Sequence, residues 1–436
     1  MSRRPFLAVL ALVLSIAALA LLFRDRLVGL LTGAGGGASP EAAVEAWPEG
    51  FWHWADWPPG RAEPRAQDAE ERARFLSLPY LGGRAPAAGR EGYGVVRHDP
   101  ERALPGLNLY TSGHGPEAIL MDMAGRTVHR WRYPFERAFP GVAPTSDTGF
   151  FRRAQLLPDD RLLVLYQTGG LALLDRRSRL LARCRGNFYN DFWVGEDGRI
   201  WTLGKEVEGD AGGGERLDDF LVLLRLREAD GACREERRIS LTRAFERSPF
   251  AGLLDPRAPA GDVLHSNTVA ELDGSLAALS PLFARGHLLV SLREIDTVAI
   301  VDPEAARVVW GQRGPWRRQH EPSLLSSGRI LLFDNHGLGG HSRLVEVDPR
   351  TGAAETAWGG DPPESFRSPV AGTVARLSNG NTLVTESVPG RAFELDPEGR
   401  IAWEFLSPHR AGPEDRLVAM LFEVTRLPLD ALEPVR

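Results

Sequence analysis

The chain has 436 residues, 43% of them apolar, which is enough to bury a large core in one big domain or two. Its formal charge of −6 at pH 7 gives no electrostatic basis for binding nucleic acid. The 47 glycines and 32 prolines indicate many tight turns. Two cysteines cannot form a disulfide framework. We expect Cys184 and Cys233 to be ordinary small apolar residues that do not meet, because they occupy similar places in successive repeats.

The N-terminus carries an uncharged apolar segment, "PFLAVLALVLSIAALALLF", over residues 5–23. As a helix it would span about 28 Å, close to the thickness of a bilayer core. "SRRPFL" resembles a twin-arginine export signal, and "ALA" (18–20) offers a cleavage site, but the apolar run continues beyond it. We therefore predict a single-pass membrane anchor over residues 1–27 and favour it over a cleaved signal. With a retained anchor or a cleaved signal, the rest of the chain is expected to lie in the bacterial periplasm or to be exported.

Residues 28–105 form the predicted linker and lead-in. "GAGGGASPEAA" has the composition of a flexible tether, and the aromatic, proline-rich stretch "WPEGFWHWADWPPG" (47–60) fits no repeat. We expect this irregular lead-in to pack on the side of the domain that follows.

From about Leu107 onward one pattern recurs about every 45 residues: four short apolar strands separated by turns rich in Asp, Asn and Gly. The clearest copies cover residues 268–310, 322–358 and 373–405, and weaker ones cover 117–131, 154–184 and 192–241. Six four-stranded units predict an all-β fold, a six-bladed β-propeller over residues 106–436. A pair of sandwiches or a β-solenoid explains four strands per repeat less well. The tail, 420–432, is predicted to add a strand that closes the ring.

In a propeller the innermost strands begin at one mouth of the central channel, so one register position in different blades marks neighbours in space. Counting eight residues back from the turn glycine, or from the aspartate that replaces it in the second repeat, gives Arg152, Asn190, His320 and Gly372. His265 lies nine residues before its glycine, a difference that a bulge would absorb. We expect these side chains to converge, and we expect Gly372 to leave room for a ligand.

The predicted group offers two imidazoles, guanidinium groups and an amide, with Arg293 of "VSLRE" added from the second strand of the fourth repeat. Cations at an open mouth favour an oxyanion such as a sulfate, a phosphate or a carboxylate. Asp191 should point to the opposite face by strand alternation, so no carboxylate pair for glycoside hydrolysis is expected. A zinc site would need a third histidine or a carboxylate at this register. We therefore expect neither a metal nor a cofactor.

Five stretches resemble the arylsulfate sulfotransferase (arylsulfotransferase) family: "GDVLHSNTVAEL", "LVSLREIDTVAIVD", "RRQHEPSLLSSGRILLFDN", "HSRLVEVDPRTG" and "LSNGNTLVTES". The similarity runs from about Gly106 to Trp403 and is strongest over 262–405. It implies an exported six-bladed propeller that transfers a sulfuryl group from a phenolic sulfate ester to another phenol, without a nucleotide donor. In that reaction a histidine carries the group transiently.

The resemblance assigns roles residue by residue. His320 of "QHEP" matches the histidine that becomes sulfated, and His265 and Arg293 match groups that hold the sulfate oxygens. Thr373 matches a threonine with the same role. The register of the repeats, and not the resemblance, makes Arg152 a further candidate for substrate binding. Asn190 stands where the family commonly has another histidine, and an amide cannot shuttle a proton.

The implied partners are a small aryl sulfate and a phenol, together with the membrane that holds the N-terminal helix. One alternative is a non-catalytic envelope propeller that binds an anionic ligand or a protein partner. The other is a quinone- or metal-dependent propeller enzyme.

Overall fold

The structure, a computed structural model, describes residues 52–54, 92–209, 215–254, 261–359, 366–411 and 417–432. These residues belong to one compact unit that runs from Pro48 to Arg436. The predicted membrane segment over 5–23 and most of the predicted lead-in lie outside them. Within the described ranges no helix is long and apolar enough to cross a membrane.

The described residues fold as an all-β propeller of six blades, as the repeat predicted. Two strands precede the blades: β1 (Trp52–Trp54) and β2 (Gly94–His98). Blade 1 takes β3 (Leu107–Ser112), β4 (Glu117–Met121) and β5 (Thr127–Arg132). Blade 2 comprises β6 (Arg153–Leu157), β7 (Arg161–Tyr166), β8 (Gly170–Leu174) and β9 (Leu180–Arg185). Blade 3 comprises β10 (Phe188–Val194), β11 (Arg199–Gly209), β12 (Glu215–Arg227) and β13 (Ala232–Ser240).

The short strand β14 (Gly261–Asp262) leads into the second half of the ring. Blade 4 comprises β15 (Ser266–Glu271), β16 (Leu288–Leu292), β17 (Thr297–Asp302) and β18 (Arg307–Arg313). Blade 5 comprises β19 (His320–Leu324), β20 (Ile330–Asp334), β21 (Arg343–Val347) and β22 (Ala354–Gly359). Blade 6 comprises β23 (Thr373–Arg376), β24 (Thr382–Glu386), β25 (Arg391–Leu395) and β26 (Ile401–Leu406). After it come β27 (Arg410–Ala411), β28 (Leu417–Ala419) and β29 (Leu421–Leu427).

Helical structure in these ranges is confined to short connections. Two short α-helices occur, α1 (Phe135–Ala138) and α2 (Leu241–Glu246). Single 3₁₀ turns lie at Ser146–Thr148, Ala251–Leu253, Pro281–Phe283 and Leu338–Gly340.

The last strand closes the ring, as predicted for the tail. β29 pairs with β3 in antiparallel fashion, so the innermost strand of blade 1 comes from the C-terminal end of the chain. Two strands from the lead-in add to the propeller: β2 extends the outer edge of blade 6 through β26, and β1 pairs with β28 in a small three-stranded sheet. The ends of the described chain are thereby held by sheet hydrogen bonds, which leaves the ring without an open seam.

The apolar runs of the sequence become the middle strands of each blade. "LLVLY" of β7 and "ILLFD" of β20 are buried at every position, because a neighbouring blade covers each face of the sheet. The outermost strands are more exposed: β5 has one buried residue, Trp131, and the end of β9 alternates between buried and exposed side chains. Trp131 and Trp403, which the sequence predicts to be packing residues of the outer strands, are fully buried.

The two cysteines correct a sequence-based expectation. Cys184 and Cys233 form a disulfide, with their Cα atoms 5.0 Å apart. They lie on β9 and β13, the outermost strands of blades 2 and 3. Equivalent places in successive repeats are brought together, because neighbouring blades stack face to face and their outer edges run side by side.

The starts of the inner strands are irregular. β10, β15 and β19 each contain a register shift within their first residues. Asn190, His265 and Glu321 adopt positive φ angles of 59°, 48° and 48°. Such residues interrupt the extended backbone, so side chains that follow one another no longer alternate between the two faces of the sheet. This irregular rim is where the predicted functional residues lie.

Candidate functional site

The predicted residues occupy the rim in a consistent way. Arg152 directly precedes β6, and His265 directly precedes β15. His320 and Thr373 open β19 and β23, Asn190 lies in β10, and Arg293 follows β16. The starts of the inner strands and the end of the second strand meet at one mouth of the channel, because successive strands of a blade are antiparallel.

His320 is buried, and its ring is held through one nitrogen. Nδ1 lies 2.6 Å from Asn335 Oδ1 and 3.0 Å from the backbone oxygen of Arg318. The amide nitrogen of Asn335 donates to the backbone oxygens of Ser368 and Ala371, which fixes its Oδ1 toward the imidazole. Both partners of Nδ1 are acceptors, so Nδ1 carries the proton and the lone pair resides on Nε2.

The electrostatic surroundings keep His320 neutral. Burial lowers its pKa well below the usual value of 6.5, and the positive charge of Arg293 lowers it further. Arg152 and His265 act in the same direction. Hydrogen bonds link three of the segments that carry these residues: Arg293 N donates to the backbone oxygen of His265 at 3.1 Å, and Asn267 Nδ2, two residues after His265, donates to the backbone oxygen of Gln319, next to His320, at 2.8 Å.

His265 has a different arrangement of partners. Its Nδ1 lies 2.6 Å from Asp262 Oδ2, and its backbone nitrogen donates to Asp262 Oδ1 at 3.1 Å. The same Oδ2 accepts a close hydrogen bond from Lys205 Nζ. Burial lowers the pKa of His265 to about 4; the Asp262 carboxylate opposes this shift, whereas Lys205 and Arg293 reinforce it.

The long hairpin of blade 3 makes this contact possible. β11 and β12 extend past the start of β10, and β14 adds to β12 in parallel, with Leu217 opposite Asp262. Lys205 sits in the extended part of β11, 4.2 Å above the ring of Tyr189. Neither Lys205 nor Asp262 was predicted from the sequence, although Asp262 stands only three residues before His265.

Arg293 is almost fully buried beside His265. Its backbone nitrogen donates to the backbone oxygen of His265 at 3.1 Å, and its Nη1 lies 3.3 Å from Glu294 Oε1. Glu294 thus supplies the carboxylate partner that a buried guanidinium requires. Glu294 Oε2 also lies 3.7 Å from Arg318 Nη2, which links this group to the backbone that holds His320.

Asn190 and Thr373 bond to their neighbours in the fold. Asn190 Nδ2 donates to the backbone oxygen of Ser266 at 3.1 Å, and its Oδ1 accepts from Gln167 Nε2 at 3.3 Å. Thr373 Oγ1 donates to Thr385 Oγ1 at 2.8 Å, across the first two strands of blade 6. Asn190 therefore joins blades 2, 3 and 4 at the rim, and Thr373 is engaged within its own blade.

Gly372 does not open space as predicted. Its φ of 132° is unfavourable for residues with a side chain, and a Cβ at this position would lie 2.8 Å from the ring of Phe333. The glycine is needed for this close approach between blades 5 and 6, so it serves packing.

The sequence did not predict a cluster of charged side chains around Arg153, which we call the ionic centre. Arg153 Nε lies 2.8 Å from Asp191 Oδ1, and its two terminal nitrogens bond to both oxygens of Glu321 at 3.1 and 3.0 Å. Nη2 also lies 3.2 Å from Glu423 Oε1. Arg153 of blade 2 thus contacts carboxylates of blades 1, 3 and 5.

A signal for this centre was present in the sequence. Arg153, Asp191 and Glu321 each follow by one residue a position that the register singled out. Strand alternation predicts that Asp191 faces away from the channel. The positive φ of Asn190 instead turns the Asp191 carboxylate toward Arg153. There burial raises the pKa of Asp191 to about 7, with Arg153 opposing the shift and the negative charge of Glu321 adding to it.

Arg152 directly precedes Arg153, the first residue of β6. Its guanidinium lies 5.1 Å from the ring centre of Phe422. Burial and the adjacent charge of Arg153 lower its pKa to about 10, so it remains a cation at neutral pH. Within the described residues, no group of three or more His, Cys, Asp or Glu side chains is arranged to hold a metal ion.

Several solved structures are similar in fold at low sequence identity. A protein of unknown function from Bacteroides caccae aligns at 10% identity and a TM-score of 0.48, covering 74% of this chain and 98% of that one. A virginiamycin B lyase from Staphylococcus aureus aligns at 9% identity and a TM-score of 0.35, covering 59% and 69%. None of the curated proteins matches the chain. Similarity at this level carries no statement about activity.

A family model gives the specific relationship. The arylsulfotransferase (ASST) model matches residues 237–408, from the last strand of blade 3 through blade 6. This stretch contains His265, Arg293, His320 and Thr373, and it includes the segment where the sequence resemblance is strongest. The match confirms the predicted resemblance: over residues 237–408 the chain is similar to the arylsulfotransferase family.

Proposed function

We propose that this protein transfers a sulfuryl group from a phenolic sulfate ester to an acceptor phenol, without a nucleotide donor, through a sulfated His320. The observation that carries the proposal is the fixed tautomer of His320. Two acceptors hold the proton on Nδ1, which presents the Nε2 lone pair as a nucleophile at neutral pH.

The chemistry balances as two displacements. In the first, Nε2 attacks sulfur, the bond between sulfur and the aryl oxygen breaks, and the phenolate leaves with the electron pair. The product is a sulfo-imidazolium, whose positive ring makes it a good donor. In the second displacement an acceptor oxygen attacks sulfur and the electron pair returns to Nε2, which restores neutral His320. Such a sequence predicts ping-pong kinetics.

The cations around His320 suit the anionic donor. Arg152 and Arg293 provide positive charge beside the nucleophile, in a buried setting where preorganised charges act strongly on a developing anion. Asn190 departs from the family pattern, and its amide is already bonded to Ser266 and Gln167. We therefore assign the direct contacts with sulfate oxygens to Arg152 and Arg293 and give Asn190 the role of holding blades 2–4 together.

The test is intact-mass spectrometry of the full chain after incubation with a chromogenic aryl sulfate and no acceptor. We expect the mass to increase by one SO₃ group, with one equivalent of phenolate released. His320→Ala should abolish the adduct and lower turnover by at least about 10³-fold. The matched control is His287→Ala, because His287 precedes β16 at the opposite end from Arg293 and its ring bonds to Leu282.

The alternative is a non-catalytic propeller that binds an anion. Folded protein that binds the aryl sulfate but gains no mass and releases no phenolate would support that alternative and overturn sulfuryl transfer.

We also propose that the propeller works outside the cytoplasm, tethered to the inner membrane by residues 5–23. The disulfide between Cys184 and Cys233 supports this location, because such bonds persist in oxidising compartments. A phosphatase that is active only after export, fused after Arg436, should be active in whole cells. An inactive fusion of full length would contradict the location.

A further inference from the structure

The acceptor phenol must lose its hydroxyl proton when it takes the sulfuryl group. The roles that the family resemblance assigns include no residue that accepts this proton. A phenol attacks sulfur well only as its hydroxyl proton departs, and the histidine that the family commonly adds is Asn190 here. His320 cannot accept the proton, because its Nε2 is bonded to the sulfuryl group and its Nδ1 is already protonated. Another base at the site is needed.

Lys205, Asp262 and His265 form a chain of largely buried side chains at the start of β15, which bonds to the start of β19, where His320 lies, through Asn267 Nδ2 and the backbone oxygen of Gln319 at 2.8 Å. Asp262 Oδ2 is shared between Lys205 Nζ and His265 Nδ1, the latter at 2.6 Å. Although burial alone would raise it, Lys205 and His265 keep the pKa of Asp262 below its ordinary value, so this carboxyl is ionised. An ionised carboxylate accepts a hydrogen bond, so the proton of neutral His265 lies on Nδ1 and Nε2 has the lone pair.

This tautomer conflicts with the role that the resemblance gives to His265. A group that holds a sulfate oxygen must donate a hydrogen bond, but neutral His265 offers an acceptor at Nε2. The low pKa of His265, about 4, keeps the ring neutral at pH 7. A carboxylate that orients an imidazole for proton transfer is the arrangement used by hydrolytic triads.

We propose that His265 is the proton-transfer residue of sulfuryl transfer, that Asp262 is the positioning residue which fixes its tautomer, and that Lys205 holds Asp262. This inference rests on the proposed function. It reassigns His265 from binding the sulfate oxygens to acting on the phenolic oxygens of donor and acceptor.

The proton balance of both half-reactions then closes. In the discharge step His265 Nε2 takes the proton of the acceptor hydroxyl, the acceptor oxygen bonds to sulfur, and the bond between sulfur and His320 Nε2 breaks. The products are the new sulfate ester, neutral His320 and a protonated His265. In the next cycle that proton passes to the phenolate released from the donor. A donor with a very stable phenolate does not need this proton, which His265 then releases to solvent because its pKa of about 4 lies below neutral pH.

The experiment separates the two half-reactions with an activated, chromogenic aryl sulfate and a weakly acidic phenol as acceptor. Formation of sulfo-His320 is followed without acceptor, and its discharge is followed after the acceptor is added. For Asp262→Asn we expect adduct formation within about threefold of the unaltered chain. Discharge should be slower by on the order of 10²–10⁴-fold, the usual contribution of a general base. In this variant an amide N–H would face Nδ1 and move the ring proton to Nε2.

The controls address folding and charge. Asp273→Asn, a change of the same type at an exposed turn whose carboxylate bonds to Ser275, should leave both steps unchanged. The double variant Asp262→Asn/Lys205→Met removes the lysine charge that the single variant leaves unpaired, and it should show the same selective defect. If neither variant folds, the solvent deuterium isotope effect on the unaltered chain decides. A normal effect on discharge alone supports the inference, and the absence of any effect on discharge overturns it.

Two further outcomes distinguish failure of this inference from failure of the proposed function. If the variants slow adduct formation as much as discharge, His265 contributes to binding the sulfate group and the inference is wrong, while the proposed function stands. If the unaltered chain forms no adduct, the proposed function is wrong and the inference falls with it.

Discussion

The orientation of one imidazole decides what the rim can do. His320 would be an ordinary buried histidine if its two nitrogens were interchangeable, but Asn335 and the backbone of Arg318 select Nδ1 for the proton. The role of Asn335 was not predicted, although "FDN" belongs to the stretch that carries the family resemblance. The motif identifies the residue, whereas its hydrogen bonds to Ser368 and Ala371 come from another blade.

The pH dependence of adduct formation tests the charges around this histidine. Neutral His320 is the attacking form, and burial together with Arg293, Arg152 and His265 lowers its pKa well below 6.5. The rate should therefore stay constant as the pH falls from 8 through 6.5 and decline only below that. Arg152→Gln removes one opposing charge, which raises the pKa of His320 and moves the decline to higher pH.

The measurement is the single-turnover rate of adduct formation at saturating donor between pH 4 and pH 9. Arg176→Gln is the matched control, because this arginine of blade 2 is paired with Asp160 at a turn. It should leave the profile in place. A decline in the unaltered chain at pH 7, or a shift to lower pH in Arg152→Gln, would contradict the assignment.

At the scale of elements, the local sequence pattern predicts the strands of the blades, but it does not predict the extended hairpin or the irregular strand starts. Alternating apolar runs and turn residues predict the strands, because burial on both faces demands uninterrupted apolar side chains in the middle of each blade. The extension of β11 and β12, which carries Lys205 to Asp262, has no counterpart in the repeat. Positive φ angles at the starts of β10 and β19 likewise have no periodic signal.

The disulfide between β9 and β13 should stabilise the outer edges of blades 2 and 3. Its removal by reduction is expected to lower the free energy of unfolding by about 2–4 kcal/mol, because the unfolded chain regains the freedom of a closed loop. Urea unfolding with and without reductant measures the change.

The control for this prediction uses the fact that the chain has two cysteines. The double variant Cys184→Ser/Cys233→Ser should start at the lower stability and show no response to reductant. Two reactive thiols in the native, unreduced protein would contradict the pairing.

At the scale of the whole molecule, Arg153 ties the ring together across its channel. It is the shared counter-charge for Asp191, Glu321 and Glu423, which come from three different blades. Arg153→Met would leave one buried and two partly buried carboxylates without that charge, and we expect a loss of about 3–5 kcal/mol in the free energy of unfolding.

A matched variant separates this effect from the loss of any arginine. Arg126→Met removes an exposed arginine that pairs with Asp122, and it should cost less than about 1 kcal/mol. Adding Glu321→Gln and Asp191→Asn to Arg153→Met should restore part of the lost stability, because fewer uncompensated charges remain. Urea unfolding of all four proteins provides the comparison. A cost for Arg153→Met no larger than that for Arg126→Met would show that the centre does not stabilise the ring.

The sequence by itself determined the number and composition of the blades, the closure by the C-terminal strand, and the register that singled out Arg152 and His320. These features depend on alternation and turn chemistry within one repeat, which are local. The tertiary structure alone decided that Cys184 meets Cys233, that Arg153 gathers three carboxylates, and that Asp262 orients His265. Each of these contacts joins side chains that different strands or different blades deliver. The physical reason is that periodicity records which face of a strand is buried and carries no record of the partner that buries it.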